Sequence, residues 1–330
     1  MNYLRPAQKQ GKKFLNPIPT AMGLKGGLHK TLWNYIKNKE EVVPKKKLGP
    51  FHTNEKAYEQ KPSSGLRITW MGHSSILIEI DGKRFLTDPV WGPRASFVSW
   101  AGPKRFFNPP IALHNLPSID AIIISHDHYD HLDKPSIQIL ASSSIPFICP
   151  LGVGKVLQKM GIPSHRITEL NWMDEHQLGD IKITATPSRH FSGRGILNRN
   201  ETLWASFVIK GPKHNIFYGA DSGWHPVFEE IGNKFGPFDL TMLEIGAYGE
   251  GWPDIHMGPN HASNAHIALQ GKLMMPIHWG TFNLALHAWD EPVKLIKKYA
   301  AEKNIHLVLP KPGTPTDIQN QSHISHWWEA

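Results

Sequence analysis

The chain has 330 residues, 40% of them hydrophobic, with 27 Pro, 28 Gly and a single cysteine, Cys149. That length can bury a large core unaided, and one cysteine excludes an internal disulfide and any cysteine-built metal cluster. The net charge of +8 sits in residues 1–50, where eleven Lys/Arg face two acids, so the rest is close to neutral, which argues against nucleic-acid binding.

The basic segment comes first. It reads as a solvated, partly flexible arm, with Leu32-Trp33-Asn34-Tyr35-Ile36 suited either to a short body-packed helix or to an anionic membrane surface. No secretory signal stands out, and no stretch nears the roughly 18 apolar residues of a membrane span. The expectation is a cytoplasmic protein with peripheral membrane contact through residues 1–50. Residues 1–63 are assigned to the arm and 64–330 to the catalytic domain.

Short strands follow. Arg67–Trp70 precedes Ser75–Ile80, and Asp81-Gly82 then turns into Lys83–Thr87, a strong hairpin signal. A second hairpin joins Glu175–Leu178 to Ile181–Thr186 through Gly179-Asp180. Further apolar runs are Ala121–Ile124, Pro146–Cys149, Leu203–Ile209, Asn215–Tyr218, Leu240–Ile245, Leu273–Ile277 and His306–Leu309. Helical patterns cover Pro135–Leu140, Gly154–Met160, Pro226–Ile231, Ser263–Leu269 and Glu291–Glu302, several opening on a proline, which a first helical turn tolerates. Early hairpins followed by strand–helix alternation predict an α+β fold of two packed sheets with helices outside.

Ala121–Ile124 reads as a fully buried strand, and it runs straight into Ser125-His126-Asp127-His128-Tyr129-Asp130-His131. Ligands usually bind at the end of such a strand. Residues two apart on an extended segment point the same way, so His126 and His128 can serve one metal. The adjacent pair Asp130 and His131 can serve another. Without cysteines, His and carboxylates must hold any ion. Asp88, Asp127 and Asp133 are candidates to hold the free nitrogens of the ligand histidines.

The His-x-His-x-Asp-His run after an apolar strand resembles the metallo-β-lactamase superfamily. That resemblance implies a four-layer αββα sandwich of two mixed sheets flanked by helices, with a two-metal site at the sheet edges. It implies three further ligands, matched by His190 in Thr186-Pro187-Ser188-Arg189-His190, Asp221 in Ala220-Asp221-Ser222-Gly223, and His278 in Ile277-His278-Trp279-Gly280. One metal would take His126, His128 and His190, and the other Asp130, His131 and His278, with Asp221 bridging. Two zinc ions sharing a bridging hydroxide follow, with iron or manganese also compatible with one site.

Asp127–Asp133, Asp88-Pro89-Val90-Trp91, Gly102-Pro103-Lys104-Arg105, His256-Met257-Gly258-Pro259 and Ile277–Phe282 are similar to the N-acylphosphatidylethanolamine-hydrolysing phospholipase D group and its bacterial relatives. This implies a zinc-dependent phosphodiesterase of lipid metabolism, with Asp221, His256 and Asp130 as catalytic residues. The group carries acids where this chain has Asn260-His261.

Substrate contacts fall to the loop Val90–Pro110, where Trp91, Phe97, Trp100, Phe106 and Phe107 accompany Arg94, Lys104 and Arg105. Rings beside cations suit a phospholipid or another small anionic substrate, and a loop folded onto the sandwich explains the pattern equally well. His261 and His266 are weaker substrate candidates. His214, His225, His287, His323 and His326 read as ordinary, and Trp204, Trp224 and Trp289 as core. A hydrolase of a soluble substrate such as a phosphorylated-sugar lactone is the alternative. An RNA-cutting enzyme ranks below it. A redox di-iron protein fits less well, since it carries Glu at the position of His128 and a flavin domain. A non-catalytic binding protein fits least, because every ligand position is filled.

Overall fold

The computed structural model describes residues 3–21, 37, 39–98, 100–195, 197–319 and 321–329. The segment Leu32–Ile36 lies outside the described residues. In chain order the strands and helices begin with a short hairpin, β1 (Lys9–Gln10) and β2 (Lys13–Phe14). Then come β3 (Leu66–Gly72), β4 (Ser75–Ile80), β5 (Lys83–Thr87), β6 (Ala121–Ile123), α1 (Lys134–Ala141), β7 (Phe147–Pro150), α2 (Val153–Lys159) and β8 (Ile167–Leu170). The second half holds β9 (Glu175–Leu178), β10 (Ile181–Thr186), β11 (Ser206–Lys210), β12 (Asn215–Tyr218), α3 (Val227–Phe235), β13 (Phe238–Glu244), α4 (Gly258–Ala268), β14 (Gly271–Ile277), α5 (Glu291–Glu302), β15 (His306–Leu309), β16 (Thr316–Asp317) and β17 (His323–Ile324).

Two mixed sheets result. One has seven strands in the order β16-β3-β4-β5-β6-β7-β8, antiparallel up to β5 and parallel beyond. The other has eight, β17-β15-β14-β13-β12-β11-β10-β9, parallel from β17 to β12 and antiparallel from there. Period-two alternation divides the side chains of the first sheet. Phe85, Ile123 and Ile148 join the central core with Ile183, Phe207, Phe217 and Met242 of the second sheet. Their neighbours Leu86, Ile122, Phe147 and Cys149 pack instead with Ile137 and Leu140 of α1 and Val153 and Leu157 of α2. On the second sheet, Phe228, Ile231, Ala262, Ala265, Val293 and Ile296 bring α3, α4 and α5 into the main core. This is the α+β sandwich with helices on both outer faces.

Most of the expected elements lie where the sequence places them, whereas β1, β2, β8, β16 and β17 were not foreseen. The shifted boundaries have local causes. Helix α4 starts at Gly258, earlier than Ser263, with Pro259 in its first turn. Strand β11 starts at Ser206, because Leu203 N donates to the Leu151 carbonyl and Leu203 and Trp204 are spent filling the core.

The described residues of the basic segment differ from a solvated arm. Phe14, Leu48 and Phe51 are buried in the main core, and Phe14 N donates to the Asn200 carbonyl. The apolar residues between the lysines supply the cause, since Phe14 gains more by burial than the flanking charges lose at the surface. At the other end of the chain, Trp327 and Trp328 are buried beside Trp279, and Trp327 also meets Phe51 and Trp70.

Candidate metal centre

The site lies where β5, β6, β10, β12, β13 and β14 end, along one edge of the sandwich. Six chain segments leaving strands of both sheets deliver Asp88, the Ser125–His131 turn, His190, Asp221, Glu244 and His278. Several take left-handed backbone torsions that side chains rarely adopt: Asp88 has φ 35°, His278 φ 61° and Ala220, beside Asp221, φ 49°. The segments also pack backbone to backbone. A Cβ on Gly246 would come within 2.1 Å of the His278 carbonyl, so only glycine lets the segment after β13 pass.

The turn after β6 divides as its spacing predicts. His126 Nε2 lies 2.8 Å from His128 Nδ1, which lies 3.2 Å from His190 Nε2. On the other side, Asp130 Oδ2 lies 3.3 Å from His278 Nε2 and 3.6 Å from His131 Nε2. Asp221 sits between the two sets. Its Oδ1 is 3.1 Å from His131 Nε2, and its Oδ2 is 3.1 Å from His278 Nε2, 3.7 Å from His190 Nε2 and 3.9 Å from His126 Nε2. All seven expected side chains therefore converge, in the two groups proposed and with Asp221 reaching both.

The residues fit divalent metal. Hydrogen bonds assign the tautomers that leave the inward nitrogens bare. His190 Nδ1 is 2.9 Å from the Ile255 carbonyl, which can only accept, so Nδ1 carries the proton. Ser125 Oγ donates to Asp88 Oδ2 at 2.6 Å and so accepts from His126 Nδ1 at 2.9 Å. His131 Nδ1 donates to Asp88 Oδ2 at 2.7 Å. Three imidazole nitrogens in one small space cannot all satisfy one another with protons, whereas a cation satisfies them together. His131 Nε2 and Asp221 Oδ1 are also buried without a hydrogen bond.

The electrostatics follow from burial and charge. Burial, with His131, His128 and His190 adding to it, holds His126 well below its ordinary pKa. Burial likewise lowers His190 strongly against the pull of Asp221. Both rings are therefore held neutral, the form in which an imidazole nitrogen can bind a metal. Burial would lower His278 too, but Asp221 and the bond with Asp130 outweigh it and push the ring up to about 10. Burial opposes ionisation of Asp221, yet His131 and His278 hold it well below the carboxylate range.

Asp88 organises this cluster. Besides Ser125 Oγ and His131, it accepts from Ser125 N at 2.7 Å and from the Tyr218 hydroxyl at 2.5 Å. Asp127 and Asp133, the other two acids expected to hold ligand histidines, do not. Asp127 accepts from Gly193 N at 2.7 Å, and Asp133 caps α1 by accepting from Ser136 N at 3.1 Å while also taking Gly92 N at 3.0 Å. Each is drawn to a nearby unsatisfied backbone N–H, the stronger local demand.

Three residues were not foreseen. His73, on the β3–β4 turn with φ 55°, places Nε2 2.9 Å from Asp130 Oδ2, with its ring 3.9 Å from that of His278. Glu244, at the end of β13, is fully buried and lies 2.6 Å from His256 Nδ1, and its other oxygen accepts from Ser222 N at 2.7 Å. Tyr218 is the third, through Asp88. The signal available in the sequence was a polar residue closing an apolar strand, which His73 and Glu244 share with the ligands found. His256 itself joins the site, its ring 5.1 Å from His190 and 5.3 Å from His278.

The substrate loop splits. Arg105 and Phe107 are buried, and Arg105 donates to the carbonyls of Val90, Phe107 and Met71, so it cannot meet a headgroup. Trp91 and Phe106 are half-buried against the body. Phe97 and Trp100 point out, 77% and 79% exposed. The Phe97 ring lies 6.2 Å from that of Tyr129 at a tilt of 51°, the Tyr129 hydroxyl donates to the Arg194 carbonyl, and Leu197, three residues on in sequence, is 92% exposed. His266 is buried against Thr241 and His261 is exposed beside Trp224, so these two do not share a substrate edge.

A family model for the beta-lactamase superfamily domain matches residues 83–279. The chain is 45% identical over 270 residues to an uncharacterized protein of Mycobacterium tuberculosis, covering 81% of this chain and 72% of that one. It is 38% identical over 245 residues to N-acyl-phosphatidylethanolamine-hydrolyzing phospholipase D 1 of Caenorhabditis elegans, covering 71% and 68%. Among solved structures, isothiocyanate hydrolase from Delia radicum gut bacteria aligns with TM-score 0.62 at 20% identity, covering 77% of this chain and 99% of that one, which speaks for the fold alone.

Proposed function

The chain belongs to the beta-lactamase superfamily as a metal-dependent hydrolase, and we propose that it is a two-zinc phosphodiesterase of phospholipase D type acting on N-acylphosphatidylethanolamine-like lipids. The observation that carries the lipid reading is the exposure of Phe97, whose ring lies 6.2 Å from that of Tyr129, together with that of Trp100 and Leu197. These are the three most exposed large apolar side chains among the described residues, and Phe97 meets Tyr129 in the turn that carries His128 and Asp130. Exposed apolar side chains in loops next to a buried polar site suit a substrate whose headgroup enters while its tails stay in a bilayer. Likeness to the nematode phospholipase supports the same reading.

His126, His128 and His190 would hold one zinc, Asp130, His131 and His278 the other, and Asp221 both. When bound, zinc supplies Lewis acidity and lowers the pKa of a coordinated water. The protein's own groups do the rest. Asp88, Ser125 and the Ile255 carbonyl fix the rings so that Nε2 of His126, His131 and His190 faces inward. Glu244 accepts from Nδ1 of His256, which leaves Nε2 to take a proton from the attacking water and pass it to the leaving alcohol oxygen as its P–O bond breaks. The water oxygen ends on phosphatidate and the proton on the N-acylethanolamine hydroxyl.

The basic residues of the segment 1–50 would add attraction to an anionic surface. The test is a turnover comparison of the zinc-loaded protein on three substrates: N-acylphosphatidylethanolamine in vesicles, a soluble phosphodiester and a phosphorylated-sugar lactone. The reading expects the lipid to be preferred by at least about tenfold in kcat/KM. Preference for the lactone would replace it with the soluble-substrate alternative.

A further inference from the structure

We infer that Asn16 is a positioning residue for His190, through which the N-terminal segment sets the affinity of the metal site built from His126, His128 and His190. The inference rests on the two-metal reading above. His190 stands beyond the end of β10, where no ladder partner is left for its backbone. The Asn16 side chain takes that place. Its Nδ2 donates to the His190 carbonyl at 2.7 Å, and its Oδ1 accepts from His190 N at 3.0 Å, across 174 positions of sequence. One amide thus satisfies both backbone groups of one candidate ligand, in the manner of a paired strand.

The contact is part of a longer seam. Arg189, the residue before, donates to the Pro19 carbonyl at 2.9 Å and to Thr20 Oγ1 at 3.1 Å, and it pairs with Asp254 at 3.0 Å. Ala21 N donates to the same Asp254 carboxylate at 2.9 Å. The next residue is Ile255, whose carbonyl orients the His190 ring. Both anchors of His190, backbone and ring, are therefore tied to residues 16–21. Buried Phe14 pins the segment from the other side. A segment read from its charge as an arm is built as a strap on one metal ligand.

A strap of this kind acts on one site of the two. His131, His278 and Asp130 take none of their described hydrogen bonds from residues 3–21. The test uses the full chain, with Zn2+ titrated against a chromophoric chelator so that two binding constants are resolved, in wild type, Asn16→Ala and Asn16→Asp. The expected result is that Asn16→Ala weakens one constant by about tenfold or more and leaves the other unchanged, the size seen when groups that orient a ligand are lost. Asn16→Asp keeps the acceptor and loses the donor, so it should fall between. Thermal unfolding of the metal-free proteins separates positioning from general loosening. Wild-type constants at both sites in Asn16→Ala would overturn the inference. So would equal weakening of both together with a lowered metal-free Tm. Failure of wild type to bind two zinc ions would instead defeat the two-metal reading itself.

Discussion

The Glu244 carboxylate lies 2.6 Å from Nδ1 of His256, fully buried beneath a ring that borders both metal groups. Burial raises the pKa of Glu244, with His256 pulling against it. A carboxylate in that place fixes the tautomer and tilt of the imidazole, as positioning acids do for catalytic histidines. His256→Ala should lower kcat by about 100-fold or more, the scale of general acid–base catalysis. Glu244→Gln should lower it by about tenfold with KM little changed and zinc content intact. Steady-state kinetics with metal analysis decide this, and a wild-type kcat in Glu244→Gln would remove the role.

His73 tests the second metal group. Its Nε2 is 2.9 Å from Asp130 Oδ2, and its backbone carbonyl accepts from His278 N at 3.1 Å, so it holds two candidate ligands at once. His73→Ala should cost about tenfold or more in the affinity of that site. The measure is zinc retained after dialysis against a graded chelator, and two zinc ions held as tightly as in wild type would contradict it.

These residues show where sequence reasoning stopped. His126, His128, Asp130 and His131 were legible because they fall within six positions behind an unbroken apolar strand, and the resemblance supplied His190, Asp221 and His278 in order. The paired sheets were legible because alternation and Asp-Gly turns are local signals. His73 was not, since it meets Asp130 across 57 positions through a hairpin turn whose own sequence carries no ligand pattern. Glu244 looked like the polar end of a strand, and Asn16 sat in a segment dominated by charge. For Arg105 a headgroup contact and a loop folded onto the sandwich were equally compatible with the sequence, because composition does not show that three backbone carbonyls would claim its guanidinium.

The exposed apolar side chains give a membrane prediction. Replacing Phe97, Trp100 and Leu197 together with serine removes apolar area that a bilayer could bury, at about 1 kcal/mol or more for each side chain. Cosedimentation with phosphatidylcholine–phosphatidylserine vesicles should fall by at least about tenfold, while hydrolysis of a soluble phosphodiester stays near wild type. Unchanged vesicle binding would place the lipid contact elsewhere, on the basic segment for example, where raising salt would abolish it.

Acid should destabilise the fold through core histidines remote from the metals. His266 is buried with Nδ1 2.8 Å from Thr241 Oγ1, and burial lowers its pKa to about 4. The folded state refuses a proton that the unfolded chain accepts near 6.5. Stability is therefore whole above pH 6.5 and is lost as pH falls towards 4, by about 3 kcal/mol. Urea unfolding of chelator-treated protein at pH 7.5 and 4.5 measures the loss. His266→Gln should lose about 2 kcal/mol less than wild type across that interval, and an identical pH dependence would show that His266 does not carry it.

The central claim is that the seven converging side chains hold two metal ions on which hydrolysis depends. The direct measurement is zinc per chain together with turnover of N-acylphosphatidylethanolamine, before and after stripping with chelator and again after zinc is restored, with Asp221→Ala beside the wild type. The account predicts two zinc ions per wild-type chain, activity lost on stripping and regained with zinc, and no regain in Asp221→Ala. Full turnover by the stripped protein, or by Asp221→Ala, would contradict it.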